Sequence, residues 1–286
     1  MGIPILDPKK PGAAELAGRA GICALTVMAK VPRPGAVKTR LSPPLTPEEA
    51  AELNLCFLRD TTENIAAVVA NETTLGHRVA GLIAYTPVGD EAFFEGKIPD
   101  GFALVAQRGH GFGERLLAAA EDVLACGYSS VCLIDSDSPT VPREAYELAV
   151  AELARPGDRI VLGPAADGGY YLIGLKQPHT TVFERIHWST ETVAADTRER
   201  AREVQIELVE LPLWYDVDDN STLDTLRAEL LADMAPGFAT LPGYAAPHTR
   251  EFLLSHDAVS NAVLWEDAPD ATAAETRDED PLERTL

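Results

Sequence analysis

Cys23-Ala24-Leu25-Thr26-Val27-Met28-Ala29 runs directly into Lys30-Val31-Pro32-Arg33-Pro34-Gly35. The first seven residues are a short, continuous apolar run, the pattern of a strand covered on both faces. The Pro/Gly cluster then stops it, so a buried strand ends in a cationic turn. The same grammar recurs down the chain. Strand patterns occupy Val79 to Tyr85, Ala103 to Ala106, Ser130 to Ile134, Arg159 to Leu162, Tyr170 to Leu175 and Ile206 to Leu211. Between them lie helical patterns. One opens at Thr46-Pro47-Glu48-Glu49, with a cap residue, Pro in the first turn and Glu three residues after the cap, and continues to about Val69. Others span Glu114 to about Cys126, Pro142 to about Leu153, and Asn220 or Ser221 to about Leu231. Such alternation predicts a Rossmann-like α/β/α sandwich of three layers, with a mostly parallel central sheet and a ligand crevice beyond the carboxyl ends of its strands.

A chain of 286 residues, 46% hydrophobic, has room for one large core. We expect a catalytic domain over 21–235 and a loosely held extension over 1–20. Residues 236–265 should pack on the core, since Phe252, Leu253, Leu254, Val259, Val263, Leu264 and Trp265 give a helix enough to bury. The acidic tail, 266–286, has almost no large apolar residue to offset its ordering entropy and is expected to be disordered. With 45 acidic against 24 basic residues, the formal charge of -21 repels nucleic acid and anionic lipid over most of the surface. An anionic small substrate then requires locally gathered cations or a bound metal. Cys23, Cys56, Cys126 and Cys132 form no CxxC pair and read as thiols in a reducing compartment. No apolar stretch is long enough to span a bilayer and no signal-peptide pattern opens the chain, so a cytoplasmic location is expected. Association as a homodimer is left open.

Five segments carry chemical potential. Lys30, Arg33, Lys38 and Arg40 place four cations within eleven residues, around Gly35, where a doubly wound sheet holds phosphates. The segment lacks Walker-loop spacing, and an ordinary basic loop is its plain alternative. Asp135-Ser136-Asp137-Ser138-Pro139 follows a strongly apolar strand and can ligate a hard divalent ion through oxygen, or merely form a turn. Asp216-Val217-Asp218-Asp219 can supply a remote carboxylate to the same ion, or cap a helix. Asp167-Gly168-Gly169-Tyr170-Tyr171 allows close ligand approach with Asp167 positioned to bind or deprotonate an acceptor, or forms a hairpin turn. Gln107-Arg108-Gly109-His110-Gly111-Phe112-Gly113 leads into a helix and can admit a base or ribose, or be a flexible connector.

Taken together, Ala29-Lys30-x-Pro32-x-Pro34-Gly35-x-Val37-Lys38-Thr39-Arg40-Leu41, Ser136-Asp137-Ser138-Pro139, the stretch from Asp167 to Leu175, Trp188-Ser189-Thr190 and Asp216-Val217-Asp218 resemble the DUF2064 family of bacterial transferases. Its members are also described as radical-SAM/selenodomain-associated glycosyltransferases. The match runs in order over roughly 23–232. The resemblance implies the GT-A fold of nucleotide-diphospho-sugar transferases, shared with molybdenum-cofactor and phospholactate nucleotidyltransferases. It implies that Lys38 and Arg40 contact donor phosphates, with Lys30, Gly35 and Ser136 beside them. Gln107, Gly111 and Gly113 would lie near the base, and Asp137 and Asp218 would hold Mg2+ or Mn2+. Asp167 would assist the acceptor on a side lined by Gly168, Gly169 and Tyr170. Asp135 stands where the family commonly has a small residue, and is either an extra ligand or an outward-facing acid.

The expected activity is glycosyl transfer from a nucleoside-diphosphate sugar to a small-molecule acceptor. Nucleotidyl transfer, in which a phosphorylated acceptor attacks an NTP and releases pyrophosphate, is the rival. A non-catalytic nucleotide-sensing domain is the third reading.

Overall fold

The computed structural model describes the backbone of residues 2–266 and their side chains apart from Glu72 and 257–266. Seven strands form one sheet: β1 (Ile22–Lys30), β2 (Arg78–Thr86), β3 (Ala103–Ala106), β4 (Ser130–Ile134), β5 (Arg159–Pro164), β6 (Tyr170–Leu175) and β7 (Glu207–Glu210). Their order is β3-β2-β1-β4-β6-β5-β7. All neighbours are parallel except β6, which runs antiparallel to both β4 and β5. The α/β architecture with a mostly parallel sheet therefore stands as read.

Strand residues alternate between two cores. Cys23, Leu25, Val27 and Ala29 point into one with residues of α2 (Pro47–Ala70), α5 (Arg143–Ala154), α8 (Asn220–Ala232) and α9 (Pro247–Glu266). Ala24, Val131 and Leu133 point into the other, with α4 (Phe112–Ala125), α6 (Thr180–Phe183) and α7 (Val193–Glu203). Burial on both faces explains why the strands read as continuous apolar runs. Helix α2 starts as its sequence demands, Thr46 Oγ1 accepting from the Glu49 N–H and Glu49 reaching back to the Thr46 N–H.

One expectation needs revision. Residues 4–6 do not hang loose. The Leu6 N–H donates to the Leu104 carbonyl at 2.7 Å and the Leu104 N–H to the Pro4 carbonyl at 2.8 Å, adding a bridge to the sheet edge, and α1 (Ala13–Arg19) follows. The acidic tail lies outside the described residues, save Glu266 at the end of α9. Among the described residues no helix is long and apolar enough to cross a membrane.

Strand order reverses between β1 and β4: β2 lies on one side of β1 and β4 on the other. The loops after β1 and β4 leave the sheet at that reversal, where a crevice is expected. The reversed strand brings a third segment there, because the 165–169 turn joins the end of β5 to the start of β6. A fourth arrives from β7, whose following loop crosses back along the same edge. The Trp214 N–H donates to the Pro164 carbonyl (3.1 Å), the Ala166 N–H to the Trp214 carbonyl (2.9 Å), and the Val217 N–H to the Asp137 carbonyl (3.0 Å).

Candidate functional site

These four segments enclose a cleft of about 660 Å³. At its base stands Lys38, whose backbone is left-handed at φ +47°, a sparsely populated conformation for a side chain of this size. Its side chain is 5% exposed, and the ammonium lies 2.9 Å from Asp137 Oδ1 and 3.0 Å from Asp218 Oδ1. It also donates to the Val217 carbonyl at 2.8 Å. Burial works to lower the Lys38 pKa, but Asp137 and Asp218 outweigh it and the group is held above its ordinary value. The two acidic turns, 81 positions apart in sequence, thus converge on one cation.

Positive charge is scarce there. Burial, then the charge of Asp137, pushes the Asp135 carboxyl well above the usual range, although Ser138 Oγ donates to it at 2.7 Å. Burial, then Asp167 and Asp218, lifts Asp216 to about 7. Four carboxyl groups around one ammonium form a donor set deficient in positive charge, the environment that oxygen-seeking divalent cations relieve. Oxygen donors of this kind suit a Mg2+- or Mn2+-class ion, but no three of these carboxylates bring ligand atoms within 4.8 Å of one another, so an ion would have to draw them together; Asp135 faces the cleft rather than outward.

The remaining predicted residues divide into two groups. Lys30, Arg40, Ser136, Asp167, Gly169 and Tyr170 line the cleft. Lys30 Nζ donates to the Ala36 carbonyl at 2.9 Å and closes the turn around Gly35, which needs its φ of +71°. Arg40 is 75% exposed and 3.9 Å from Asp218 Oδ2, leaving most of its guanidinium to the solvent side. Asp167 Oδ1 accepts the Gly169 N–H at 2.8 Å, and the Gly168 N–H bonds the Ala165 carbonyl at 3.1 Å. The Asp-Gly-Gly segment is thus the turn between two antiparallel strands, with Asp167 and Gly169 at the cleft.

Gly35, Gln107, Gly111, Gly113 and Gly168 do not line this cleft. The Gln107 carboxamide donates to the Ala84 carbonyl at 2.7 Å and the Ala29 carbonyl at 3.4 Å, tying strand ends together. Gly111 caps α4. Gly113 lies flat under Trp188, where a Cβ would come within 2.5 Å of Nε1, and Gly168 lies against the Glu191 carbonyl, which a Cβ would approach to 2.0 Å. Both glycines shape the wall from behind.

Several contributors escaped the sequence reading. Asn54, buried on α2, donates through Nδ2 to Asp137 Oδ1 at 3.2 Å; its signal was a lone amide among Leu53, Phe57 and Leu58. Within the acidic turn read from the sequence, Asp216 as well as Asp218 joins the acid cluster, and Asp219 caps α8. Trp188 and Phe112, with ring centroids 5.3 Å apart at 73°, give the cleft an aromatic wall, and Glu191 adds an acid beside it.

Residues 68–190 match the model of a family described as "Uncharacterized protein conserved in bacteria (DUF2064)". No curated protein matches the chain in sequence. A solved structure from Desulfovibrio desulfuricans G20, provisionally described as a nucleotide-diphospho-sugar transferase, is 29% identical over 85% of this chain and 98% of its own, with a TM-score of 0.66. More remote are the 4-diphosphocytidyl-2C-methyl-D-erythritol synthase of Anaerococcus prevotii DSM 20548 (12% identity, 77% of this chain, 99% of that one, TM-score 0.45) and the Mycobacterium tuberculosis glucosyl-3-phosphoglycerate synthase (13%, 86%, 83%, 0.42). These two lie below the likeness at which a comparison of folds carries weight. Residues 68–190 are thus similar to the DUF2064 family, and the chain shares its fold with a solved structure provisionally described as a nucleotide-diphospho-sugar transferase.

Proposed function

We propose that the protein is a metal-dependent glycosyltransferase that takes a nucleoside-diphosphate sugar as donor and a small molecule as acceptor. The observation that carries this reading is the convergence of Asp137 and Asp218 on one buried ammonium at the floor of a cleft at the sheet's reversal point. Asp137 and Asp218 would hold Mg2+ or Mn2+, with Asp135 and Asp216 as further oxygen donors. Such an ion neutralises the charge that develops on a departing diphosphate. Coordination requires the ammonium of Lys38 to yield at least one carboxylate, which frees it to meet a phosphate from within the cleft. Arg40, largely exposed at the rim, binds the same phosphates from outside. Asn54 fixes the Asp137 carboxylate.

In the transfer itself the bond from the sugar's anomeric carbon to the diphosphate oxygen breaks and a bond from the acceptor oxygen forms. Asp167, whose Oδ2 is not used by the turn, takes the acceptor's proton. The wall of Trp188 and Phe112 gives the acceptor or sugar an apolar face to lie against.

With one carboxylate yielded to the ion, Lys38 joins Lys30 and Arg40 as the cleft-lining cations available to phosphate among the described residues, a modest set that suits a diphosphate. The test is direct. Full-length protein is incubated with Mn2+ and, separately, with nucleotide sugars or NTPs in mixtures of hydroxyl and phosphorylated acceptors. Glycosyl transfer releases nucleoside diphosphate. Pyrophosphate release would move the assignment to nucleotidyl transfer, and binding without turnover in every mixture would leave a sensing domain. Asp137→Asn must abolish whichever product appears.

A further inference from the structure

A second cluster lies outside the cleft, where α9 docks antiparallel on α2: His248 at the start of α9 meets Glu63, and His256, two turns on, meets Glu49. Asp60 is fully buried, and its two oxygens accept the N–H groups of His248 (3.0 Å) and Thr249 (2.8 Å) at the open N-terminus of α9. Glu63 Oε1 lies 2.6 Å from His248 Nε2. One potential ligand atom from each of Asp60, Glu63 and His248 lies within 4.8 Å of the others, and none of the three lines the cleft.

The cluster has coordinating capacity left over. Each Asp60 oxygen accepts one N–H, and a carboxylate oxygen has a second lone pair. The hydroxyl of Thr249, a residue with no exposure, bears on the Asp60 carboxylate, though its geometry falls short of a full hydrogen bond. The Glu63 side chain is 39% exposed, giving an ion a route in and room for a water ligand.

We propose that Asp60, Glu63 and His248 form a divalent-cation site, distinct from the cleft, that clamps α9 to α2. One imidazole nitrogen with two carboxylates is a donor set for borderline ions such as Zn2+ or Co2+, whereas the all-oxygen cleft suits Mg2+ or Mn2+. Coordination through Nε2 replaces the His248–Glu63 hydrogen bond. The two atoms need to separate by roughly half an ångström to share an ion at about 2.0–2.1 Å from each. The Thr249 hydroxyl then supports the Asp60 carboxylate from behind.

The test uses full-length protein carrying Asp137→Asn and Asp218→Asn, which disable the cleft, after treatment with a chelator. Co2+ is followed by its visible absorption and Zn2+ by calorimetry and thermal shift. We expect one ion per chain, and a Tm raised by about 5–10 °C at a hundredfold excess over Kd. Glu63→Gln and His248→Asn, each folded by circular dichroism, should both lose the Co2+ band and the shift. Should His248→Asn not fold, Glu63→Gln alone decides, since that side chain is partly exposed. The site is refuted if the cleft-disabled chain binds no Zn2+ below roughly 100 µM, an affinity too weak to clamp a helix, or if Glu63→Gln leaves binding unchanged.

Discussion

Replacing Lys38 by methionine removes the charge at the floor of the cleft while keeping most of the side chain's volume. Breaking a buried ion pair by deleting one partner costs about 3–5 kcal/mol when the other charge stays dry. Here the survivors are partly wet, the Asp137 and Asp218 side chains being 35% and 45% exposed. Water therefore takes up much of the freed charge, and a loss of about 1–2 kcal/mol follows. For a domain of this size that lowers Tm by about 2–8 °C. The measurement is differential scanning calorimetry in chelator, on Lys38→Met, Asp218→Asn and the double variant. If Lys38 chiefly neutralises Asp137 and Asp218, the double variant loses less than the sum of the singles. Mn2+ should then raise the Tm of Lys38→Met by more than that of the unmodified protein, because the carboxylates no longer have to be taken from the ammonium. Strict additivity, with an identical Mn2+ response in both proteins, would show that the ammonium and the metal do not share these ligands.

Other outcomes follow from the same geometry. In chelator, Asp216 keeps its proton up to about pH 7 in the folded protein, whereas an unfolded Asp releases it near its ordinary value of about 3.9. Between those values the folded state binds more protons, so stability should fall as pH rises and level off above 7. Urea unfolding of Asp216→Asn at pH 5 and pH 8 should lack that decline; parallel curves for variant and parent would refute it. Gly168→Ala must place a Cβ 2.0 Å from the Glu191 carbonyl at φ +92°, and we expect more than about 2 kcal/mol of destabilisation in urea. Asp219→Ala removes the cap that accepts the Thr222 N–H at 3.0 Å, costing about 1 kcal/mol by the same assay. Gly113→Ala should displace Trp188 and alter its fluorescence emission, with nucleotide-sugar turnover reduced; an unchanged spectrum would mean that the ring does not rest on that glycine.

The strands were legible because burial on both faces leaves runs of Val, Ile, Leu and Ala that little else explains: β3, β4 and β6 have the bounds their sequences suggest. Helix α7 was not, since Val193, Ala194, Thr197 and Ala201 are its buried residues and charged groups fill the rest. The reversal of β6 was also hidden. Strand direction depends on whether the preceding connection is a turn or a crossover, and Asp-Gly-Gly is compatible with a ligand loop as well as a hairpin. In the site, the acidic turns could be read because scarce charge at strand ends is conspicuous. What a donor group faces could not: Lys38 and Gln107 occupy the loops expected of them, yet both engage the protein's own oxygen atoms. Asn54 owes its place to a helix whose register against β1 and β2 is a product of packing.

The inverted β6 also bears on how such a protein can diversify. Had the sheet stayed parallel there, the chain after β5 would have left the crevice rim through a helix and returned at the far edge. Instead a five-residue turn stays at the rim, joined to the acidic floor through Trp214 and Val217 but to no part of the β1 loop among the backbone bonds described. Under the proposed glycosyl transfer, acceptor preference would drift by exchange of residues in that turn and in the Trp188 segment, while the loops proposed to hold the donor stayed intact.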